Sequence, residues 1–366
     1  RNASVILVYG HPRSDEQGYD GYFSDLMSRI PNVVRLLHVD CGAGRVQELA
    51  GDGRTFSLHA WGDIKTLVLL PFVKWRPGPA DCQGRWVWLV RRAAAVEGGT
   101  GQSAMIRWQQ SCQRNWLERE TPVSVAWPWE NHAWERTFVG AAKRWGVKTI
   151  GYQHATVGKF ELNYSPRSDP EEHQHLPDQI ACSGRAWLER LEGLGVPAGR
   201  MSVRGSLRNF LETPLNYSPD GPVLVAMPFD STFARALVEA IRPLAGAGQK
   251  FVVKDHPMTP FVFDESDSVV RTPHSLQDQS GLSGVLYAAT SVGLESLLGG
   301  LPTYRFETWS ADGMDVVPDG FHMPAVSPMS LAGALARPEQ PPKIDRAYVF
   351  DKPDYSYWRA ALSGVT

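Results

Sequence analysis

Two residues that could carry acid–base or nucleophilic chemistry stand just behind short apolar runs of the sequence. Glu130, in WPWENHAWER, follows the run VSVAW, and His154, in GYQHATVGKFELNY, follows the run VKTIGY. A histidine has a pKa near neutrality and can take the proton of a hydroxyl group, and a carboxylate can act as a base or a nucleophile. Both are candidate catalytic residues. Plainer roles also suit them: a helix-capping carboxylate for Glu130 and an orienting or structural histidine for His154.

The stretch FVVKDHPM places a lysine and a histidine at the end of another apolar run. Proline fixes its own φ and favours extended geometry in the residue before it, so Pro257 would hold His256 at the strand tip. A lysine ammonium and an imidazole N–H both suit a phosphate group. We therefore predict that Lys254, His256 and Pro257 belong to a phosphate-binding site.

Further candidate phosphate ligands lie in ATSVGLESLLGGLPTYRF, where a short apolar run leads into a helical pattern. Ser291 is placed to cap this helix, with Thr290 before it, and the free N–H groups of a helix start can face a phosphate. Glu295, one turn further on, could accept hydrogen bonds from ribose hydroxyls. Arg208, in RGSLRNF, could pair with a phosphate or a sugar carboxylate.

Several polar loop residues are weaker candidates for sugar or phosphate contacts. They are Asp15, Glu16 and Asp20 after the first apolar run, Glu161 and Asn163 in the loop beyond His154, and Arg204 at the predicted domain junction. Glu135 and Arg136, one turn into the helix that follows Glu130, are predicted to lie on a solvated helix face.

The sequence around these candidates alternates between short apolar runs and amphipathic helical patterns. SVILVYG, VVRLLHVD, TLVLLPF and PVSVAW predict buried parallel strands, and QSAMIRWQQSCQRNWLERE and WERTFVGAAKRWG predict helices. After the linker-like NYSPDGP the alternation resumes with VLVAM, KFVVK, SVVR and GVLYAAT. The predicted fold class is α/β, with two Rossmann-like doubly wound domains facing a cleft. Ligands of open parallel sheets bind beyond the carboxyl ends of the strands, where the candidate residues lie.

Composition excludes several classes of function. The 366 residues carry 37 Lys and Arg against 39 Asp and Glu, and this balance gives no support to a nucleic-acid partner. The four cysteines match no zinc spacing and are predicted to be free thiols, and no metal is expected. The absence of a phosphate-loop motif and of G-x-G-x-x-G argues against a P-loop kinase and a standard dehydrogenase. Thirteen tryptophans, some beside charges as in VKWRP, suit sugar rings, amphipathic surfaces or the core.

The stretch VKDHP…TSVGLESLLGGLPTYRF resembles the nucleotide-sugar half of GT-B glycosyltransferases. It is most similar to transferases that use CMP-activated acidic sugars, such as the Kdo transferases of capsule and lipopolysaccharide assembly and bacterial sialyltransferases. Ser296 stands where that group has alanine. The resemblance implies that His256 and Pro257 lie near the cytidine phosphate, that Thr290 and Ser291 contact the phosphate, and that Glu295 lies near the ribose.

The first half of the chain is similar to bacterial surface-polysaccharide biosynthesis proteins of the same fold. YQHA also resembles the strand-end THG motif of teichoic-acid enzymes, in which the histidine is the general base, with Gln153 for threonine and Ala155 for glycine. By these resemblances residues 1–205 form the acceptor-side domain and residues 206–345 bind the nucleotide sugar. Residues 346–366 form a C-terminal helix that could pack back on the first domain.

These expectations combine into a glycosyltransferase of bacterial surface-polysaccharide assembly. Its donor would be a CMP-activated sugar, Kdo or a related ulosonic acid, and its acceptor a glycan, with no other cofactor. Other polysaccharide-assembly enzymes are possible partners, and no apolar run reaches the ~20 residues of a membrane helix, so membrane contact would be peripheral. The expected location is the cytoplasm or the inner face of its membrane. The alternatives are a UDP-hexose, GDP-hexose or CDP-glycerol donor, and a non-catalytic carbohydrate-binding subunit.

Overall fold

Two parallel β-sheets organise the chain in the computed structural model, which describes residues 3–166, 173–208, 215–257, 259–309 and 313–363. The first sheet has the strand order β3-β2-β1-β4-β5-β6-β7. Its strands are β1 Ser4–Tyr9, β2 Val33–Val39, β3 Thr55–Ser57, β4 Ser124–Pro128, β5 Lys148–Gln153, β6 Gln179–Cys182 and β7 Met201–Val203. The order reverses between β1 and β4, and a crevice forms at such a switch point beyond the carboxyl ends.

The second sheet repeats this plan with the strand order β10-β9-β8-β11-β12-β13. Its strands are β8 Val223–Ala226, β9 Phe251–Lys254, β10 Val269–Arg271, β11 Gly284–Tyr287, β12 Thr303–Phe306 and β13 Ala325–Val326. Here the order reverses between β8 and β11, so a second crevice opens beyond these strands. Two doubly wound parallel sheets are the α/β architecture that the sequence predicts.

The helices connect the strands and cover the sheets. They are α1 Leu26–Arg29, α2 Arg45–Leu49, α3 Ile64–Leu69, α4 Val87–Glu97, α5 Gly101–Glu120, α6 Ala133–Arg144, α7 Arg185–Gly193, α8 Ser231–Gly246, α9 Val292–Leu298, α10 Leu331–Ala336, α11 Arg346–Val349 and α12 Tyr355–Ser363. None of the described helices is both long and apolar enough to span a bilayer.

The last helix, α12, packs against the first sheet. The Trp358 ring is fully buried and meets the rings of Phe23 and Tyr152 edge-on, with centroids 5.7 and 5.6 Å apart. Arg204, just past β7, pairs with Asp354 before α12 at 3.0 Å. The apolar faces of β1, β4 and β5 therefore have α12 as part of their cover, although it lies at the far end of the chain.

The predicted strand TLVLLPF is wrong, because this segment forms α3 and the 3₁₀ turn Leu70–Phe72. Asp63 caps the helix, and its carboxylate accepts a hydrogen bond from the Thr66 N–H at 2.7 Å. An apolar run of this length has no periodicity that separates a strand from a helix, and the cap decides between them. The four cysteines are free thiols, as predicted.

Candidate active site

A cleft of about 1310 Å³ lies where the ends of the two sheets meet. Its lining comes from segments that follow β1, β4 and β5 on one wall and β9 and β11 on the other. Among the lining residues are these sequence-predicted candidates: Glu130, Glu161, Asn163, Arg208, Lys254, His256, Pro257, Thr290, Ser291 and Glu295. His154 lies just behind the first wall, in a side cavity of about 180 Å³ that it shares with Glu130.

Glu130 is held between two histidines. Its Oε2 accepts a hydrogen bond from His132 Nε2 at 2.7 Å, and its Oε1 lies 3.3 Å from His154 Nε2. Burial favours the neutral form of this carboxyl, but the hydrogen bonds from His132 and His154 outweigh it and hold the pKa of Glu130 below its usual range. The hydrogen bond to Glu130 in turn raises the pKa of His132. Glu130 is thus ionised at neutral pH, as a base or a nucleophile must be.

Glu135 fixes the backbone that carries Glu130. Its carboxylate accepts the N–H groups of Glu130, Asn131 and His132 at 3.1–3.2 Å and the indole N–H of Trp127 at 2.8 Å. The side chain is buried, so the predicted solvated position of Glu135 is wrong, and burial raises its pKa to about 7. The error arose because the helix turns Glu135 back under the end of β4. The spacing H-x-x-E at the helix start, with Glu at the third helical position, is the signal that could have found it.

A pair of asparagines ties the Glu130 loop to the loop that follows β5. The Asn131 amide donates to the backbone oxygen of Asn163 at 2.7 Å, and the Asn163 amide donates to the backbone oxygen of Glu130 at 2.7 Å. Asn131 has φ of 56°, a left-handed conformation that asparagine adopts more readily than most residues. The reciprocal hydrogen bonds fix the position of the Glu130 backbone relative to the loop that follows β5.

His154 is buried directly after β5, and its hydrogen bonds assign its tautomer. Arg208 Nη1 donates to His154 Nδ1 at 3.0 Å, and an arginine can only donate. Nδ1 therefore carries the lone pair, and Nε2–H is the group that donates to Glu130. Burial lowers the pKa of His154, the Glu130 carboxylate opposes this, and the Arg208 charge adds to the lowering. His154 is then a neutral donor whose two nitrogens are both engaged.

The opposite wall carries the residues that follow β9. The Lys254 ammonium donates to the backbone oxygen of Pro273, and Asp255 pairs with Arg271. The His256 ring meets the Phe229 ring edge-on with centroids 5.5 Å apart. Burial lowers the pKa of His256, and the charge of Arg208 lowers it further. Lys254 and His256 thus both line the cleft, and the carboxylate beside them is neutralised by Arg271.

The segment after β11 brings Thr290, Ser291 and Glu295 to the same wall. The Ser291 hydroxyl donates to Glu295 Oε1 at 2.9 Å and makes no capping hydrogen bond to the helix. The expected side-chain cap at Ser291 is therefore wrong, because the Glu295 carboxylate competes for that hydroxyl and Ser291 itself has helical φ and ψ. The helix α9 has seven residues, so the field at its start is weaker than that of a long helix.

Arg208 lies between the two walls. Its guanidinium donates to His154 and stands 5.1 Å from the centre of the Tyr22 ring, while its charge acts on both His154 and His256. An arginine in this position can reach a ligand that spans the cleft. The sequence predicts that Arg208 binds a phosphate or a sugar carboxylate, and the structure places Arg208 among the residues that line the cleft.

The acidic residues of the first loop do not line the cleft. Asp20 is fully buried, accepts the N–H groups of Tyr22 and Phe23, and lies 3.8 Å from the buried guanidinium of Arg35. Asp15 accepts two N–H groups within its own loop, and neither it nor Glu16 is among the cleft residues. Arg204 is likewise occupied by Asp354. Asp15, Asp20 and Arg204 therefore hold local structure, and Glu16 lies outside the cleft.

The sequence analysis assigned no chemical role to His11, which lines the first wall and the side cavity, or to Tyr22, which lines the side cavity. His11 follows β1 and is buried, its Nδ1 accepts the Arg13 N–H at 3.1 Å, and its ring meets Tyr22 edge-on at 5.3 Å. Burial, together with the charges of Arg208 and Arg13, lowers the pKa of His11 to about 3. The signal was its place directly after the first predicted strand, at the switch point. Of the described side chains, no group of three or more His, Cys, Asp or Glu is arranged to hold a metal ion.

No family model and no curated protein matches the chain by sequence. Solved structures match its fold over nearly its whole length. The UDP-N-acetylglucosamine 2-epimerase of Rickettsia bellii is 14% identical with a TM-score of 0.55, covering 100% of this chain and 94% of its own. The UDP-GlcNAc 2-epimerase of Methanocaldococcus jannaschii, solved with UDP-GlcNAc and UDP, is 10% identical with a TM-score of 0.52, covering 96% and 98%. At these identities the likeness shows the fold alone, two Rossmann-like domains of the GT-B type.

Proposed function

We propose that the protein is a glycosyltransferase that moves a sugar from a nucleotide-activated donor to a glycan acceptor. The proposed donor is a CMP-activated ulosonic acid, Kdo or a close relative, and the proposed setting is the cytoplasmic assembly of a bacterial surface polysaccharide. The observation that carries the proposal is the cleft itself, in which the ionised Glu130 on one wall faces Lys254 and His256 on the other. A transferase needs this division, because one wall holds the leaving group and the other activates the acceptor.

The size of the cleft favours two substrates over one. Pockets for a single small ligand typically have volumes of about 300–1,000 Å³. The cleft has about 1310 Å³, and a side cavity of about 180 Å³ opens beside Glu130. A nucleotide sugar can therefore lie against the second wall and leave space in front of Glu130 for an acceptor.

The cations of the cleft suit a donor with two negative charges. A CMP-ulosonic acid carries one on its phosphodiester and one on the sugar carboxylate. Four basic residues line the cleft, Arg13, Arg208, Lys254 and Arg271, and Arg271 is paired with Asp255. Lys254 lies on the second wall and Arg208 lies between the walls, so these two cations are separated as the two anions of the donor are. Arginine binds a carboxylate through two parallel N–H donors, and lysine serves a phosphate as a point charge.

In the proposed reaction the Glu130 carboxylate takes the proton of an acceptor hydroxyl. The hydroxyl oxygen forms a bond to the anomeric carbon of the donor while the bond from that carbon to the phosphate oxygen breaks. The electron pair of the broken bond leaves with CMP, whose phosphate is stabilised by Lys254 and His256. His132 is exposed to solvent and hydrogen-bonded to Glu130, so it can pass the proton taken from the acceptor on to water.

His154 acts in this scheme as a positioning residue. Its Nε2–H holds Glu130 Oε1 in place, and its Nδ1 is occupied by Arg208. A base needs a free lone pair towards the acceptor, and the hydrogen bonds leave none on His154. Glu130 is therefore the better candidate of the two for proton removal.

The donor is tested by thermal denaturation of the full chain with CMP, CDP, UDP and GDP, followed by turnover with CMP-Kdo and a glycan acceptor, measured as CMP release. We expect CMP to give the largest stabilisation and CMP release to require both the acceptor and Glu130. Lack of stabilisation by CMP would overturn the donor assignment. CMP binding without any turnover would favour a non-catalytic carbohydrate-binding protein.

A second candidate function is the conversion of a UDP-sugar. It is favoured by the full-length fold likeness to UDP-GlcNAc 2-epimerases, one of them solved with UDP-GlcNAc and UDP. The same denaturation series separates the two, because a UDP-sugar enzyme would be stabilised by UDP. Incubation with UDP-GlcNAc and analysis of the sugar by NMR would then distinguish epimerisation from transfer to a glycan. A CDP response would indicate a CDP-glycerol donor, and a GDP response a GDP-hexose donor.

A further inference from the structure

The segment from residue 64 to residue 107 exposes an unusual set of apolar side chains. It contains α3, the turn after it, α4 and the first turns of α5. The exposed apolar residues are Ile64, Leu67, Val68, Leu69, Phe72, Trp75, Trp86, Trp88, Leu89, Val96 and Met105. Neither α3 nor α4 has a single buried residue. Exposed apolar groups on this scale mark an interaction surface, because scattered single residues are the ordinary case.

The helix α3 is turned with its polar side towards the protein. Thr66 Oγ1 lies 3.1 Å from the hydroxyl of Ser111 on α5, and Ser111 donates to Asp63 at 2.6 Å. The opposite side presents Ile64 and Val68, whose side chains are 79% and 63% exposed. A helix of a water-soluble surface has the reverse arrangement, so the apolar side of α3 is built to meet something other than water.

The segment is also tied together. The backbone N–H of Trp75 donates to the backbone oxygen of Gly98 at 2.6 Å, which joins the turn after α3 to the end of α4. The hydroxyls of Thr100 and Ser103 both donate to the backbone oxygen of Glu97, which joins α4 to α5. The exposed side chains of α3, α4 and the connecting turn therefore belong to one hydrogen-bonded unit that is anchored to α5.

Charge decides which occupant this surface fits. The segment has seven basic residues, Lys65, Lys74, Arg76, Arg85, Arg91, Arg92 and Arg107, against the two acidic residues Asp81 and Glu97, while the whole chain has a net charge of −2. All seven basic residues are exposed. A second copy of the chain on this face would bring like charges together, which disfavours a symmetric dimer. An anionic lipid surface neutralises them.

We propose that the 64–107 segment is a docking surface for an anionic phospholipid bilayer. Leu, Phe and Trp side chains enter the boundary between headgroups and acyl chains, and the surrounding Arg and Lys bind the phosphate headgroups. Trp75, Trp86 and Trp88 suit the interface, where an apolar ring and a polar N–H are both satisfied. The Arg85 guanidinium lies 4.7 Å from the centre of the Trp86 ring, so a basic and an aromatic group stand side by side on this surface. The surface belongs to the domain that carries Glu130. The proposal therefore does not depend on which nucleotide sugar is the donor.

The test is co-sedimentation of the full chain with vesicles. One set contains equal parts of phosphatidylcholine and phosphatidylglycerol, and the other contains phosphatidylcholine alone. We expect binding to the anionic vesicles that weakens at high salt and little binding to the neutral ones. The charge variant Arg91→Glu/Arg92→Glu and the apolar variant Phe72→Ser/Trp88→Ser should each weaken partitioning by about tenfold or more.

Two matched controls carry the same changes elsewhere on the surface. Arg235→Glu/Arg337→Glu makes the same charge change, and Val262→Ser/Trp309→Ser removes apolar side chains that are 90% and 99% exposed. Both should bind vesicles as the wild type does, and circular dichroism should show all four variants folded. Failure of the wild type to bind anionic vesicles, or equal losses in the controls, would overturn the proposal. So would a dimer in light scattering that Phe72→Ser/Trp88→Ser dissociates while vesicle binding persists.

Discussion

Glu130 Oε1 lies 3.3 Å from His154 Nε2, and the register of two neighbouring strands brings them together. In the parallel pair of β4 and β5, Pro128 stands beside Tyr152. Glu130 and His154 each follow two residues later, so their side chains leave the sheet at the same height. The hydrogen bond between them, and the second one from His132, keep a carboxylate charged in a partly buried cleft.

Replacing Glu130 by glutamine should abolish most turnover while the nucleotide still binds. The amide cannot accept the acceptor proton, and loss of a general base typically lowers the rate by about 10²–10⁴-fold. The measurement is CMP release, with nucleotide affinity from thermal denaturation as the control. Turnover close to that of the wild type would show that the base lies elsewhere. A trapped sugar ester on Glu130 would instead make it a nucleophile.

The role of His154 is tested by comparing His154→Ala with His154→Gln. A glutamine amide can still donate to Glu130, so we expect it to retain much of the rate that alanine loses, about tenfold or more. Only His154→Ala should also move the acid limb of the pH–rate profile to higher pH, because the Glu130 carboxylate loses a donor. If His154 were itself the base, glutamine would be as inactive as alanine.

Replacing His132 by alanine should move the acid limb in the same direction. The hydrogen bond from His132 is the largest of the interactions that hold the pKa of Glu130 below its usual value. Without it the pKa rises, and the carboxylate is protonated at a higher pH as acid is added. The pH dependence of kcat/KM in the free enzyme measures this. An unchanged acid limb would mean that Glu130 does not control the rate.

Lys254→Ala should weaken donor binding without changing the KM of the acceptor. A hydrogen bond to a charged group contributes about 1.5–3 kcal/mol, so we expect the donor KM to rise by tenfold or more. Lys250→Ala is the matched control, since Lys250 is exposed just before β9 and Lys254 ends that strand. Equal effects of the two substitutions would remove Lys254 from the donor site.

Glu135→Ala should destabilise the protein as well as inactivate it. The substitution leaves the N–H groups of Glu130, Asn131 and His132 and the indole of Trp127 without their acceptor, at a cost of about 2–4 kcal/mol. Urea denaturation measures the loss, and Glu192→Ala, at an exposed helical site, should stay within about 0.5 kcal/mol of the wild type. A Glu135→Ala protein of normal stability would show that the loop is held by other contacts.

Most strands and the longer helices were predictable because their patterns are local. Buried parallel strands read as continuous apolar runs, and long helices such as α5 and α6 carry a clear period. The prediction failed for TLVLLPF because most of its apolar side chains are exposed. A hydrophobic pattern cannot show whether such side chains pack into the core or lie on the surface. Arg208 was recognised as a ligand-binding candidate, but its hydrogen bond to His154 could not be seen from residues so far apart in the chain.

The sequence alone determined that two parallel sheets would present their carboxyl ends, and that Glu130, His154, Lys254 and His256 would stand there. Only the tertiary structure decided which of these groups are charged and which of their atoms donate or accept hydrogen bonds. A side chain's pKa and tautomer depend on burial and on partners within a few ångströms, and strand register and loop packing supply these. Glu135 shows the same division, because its helical position is local while its role depends on the backbone that folds over it.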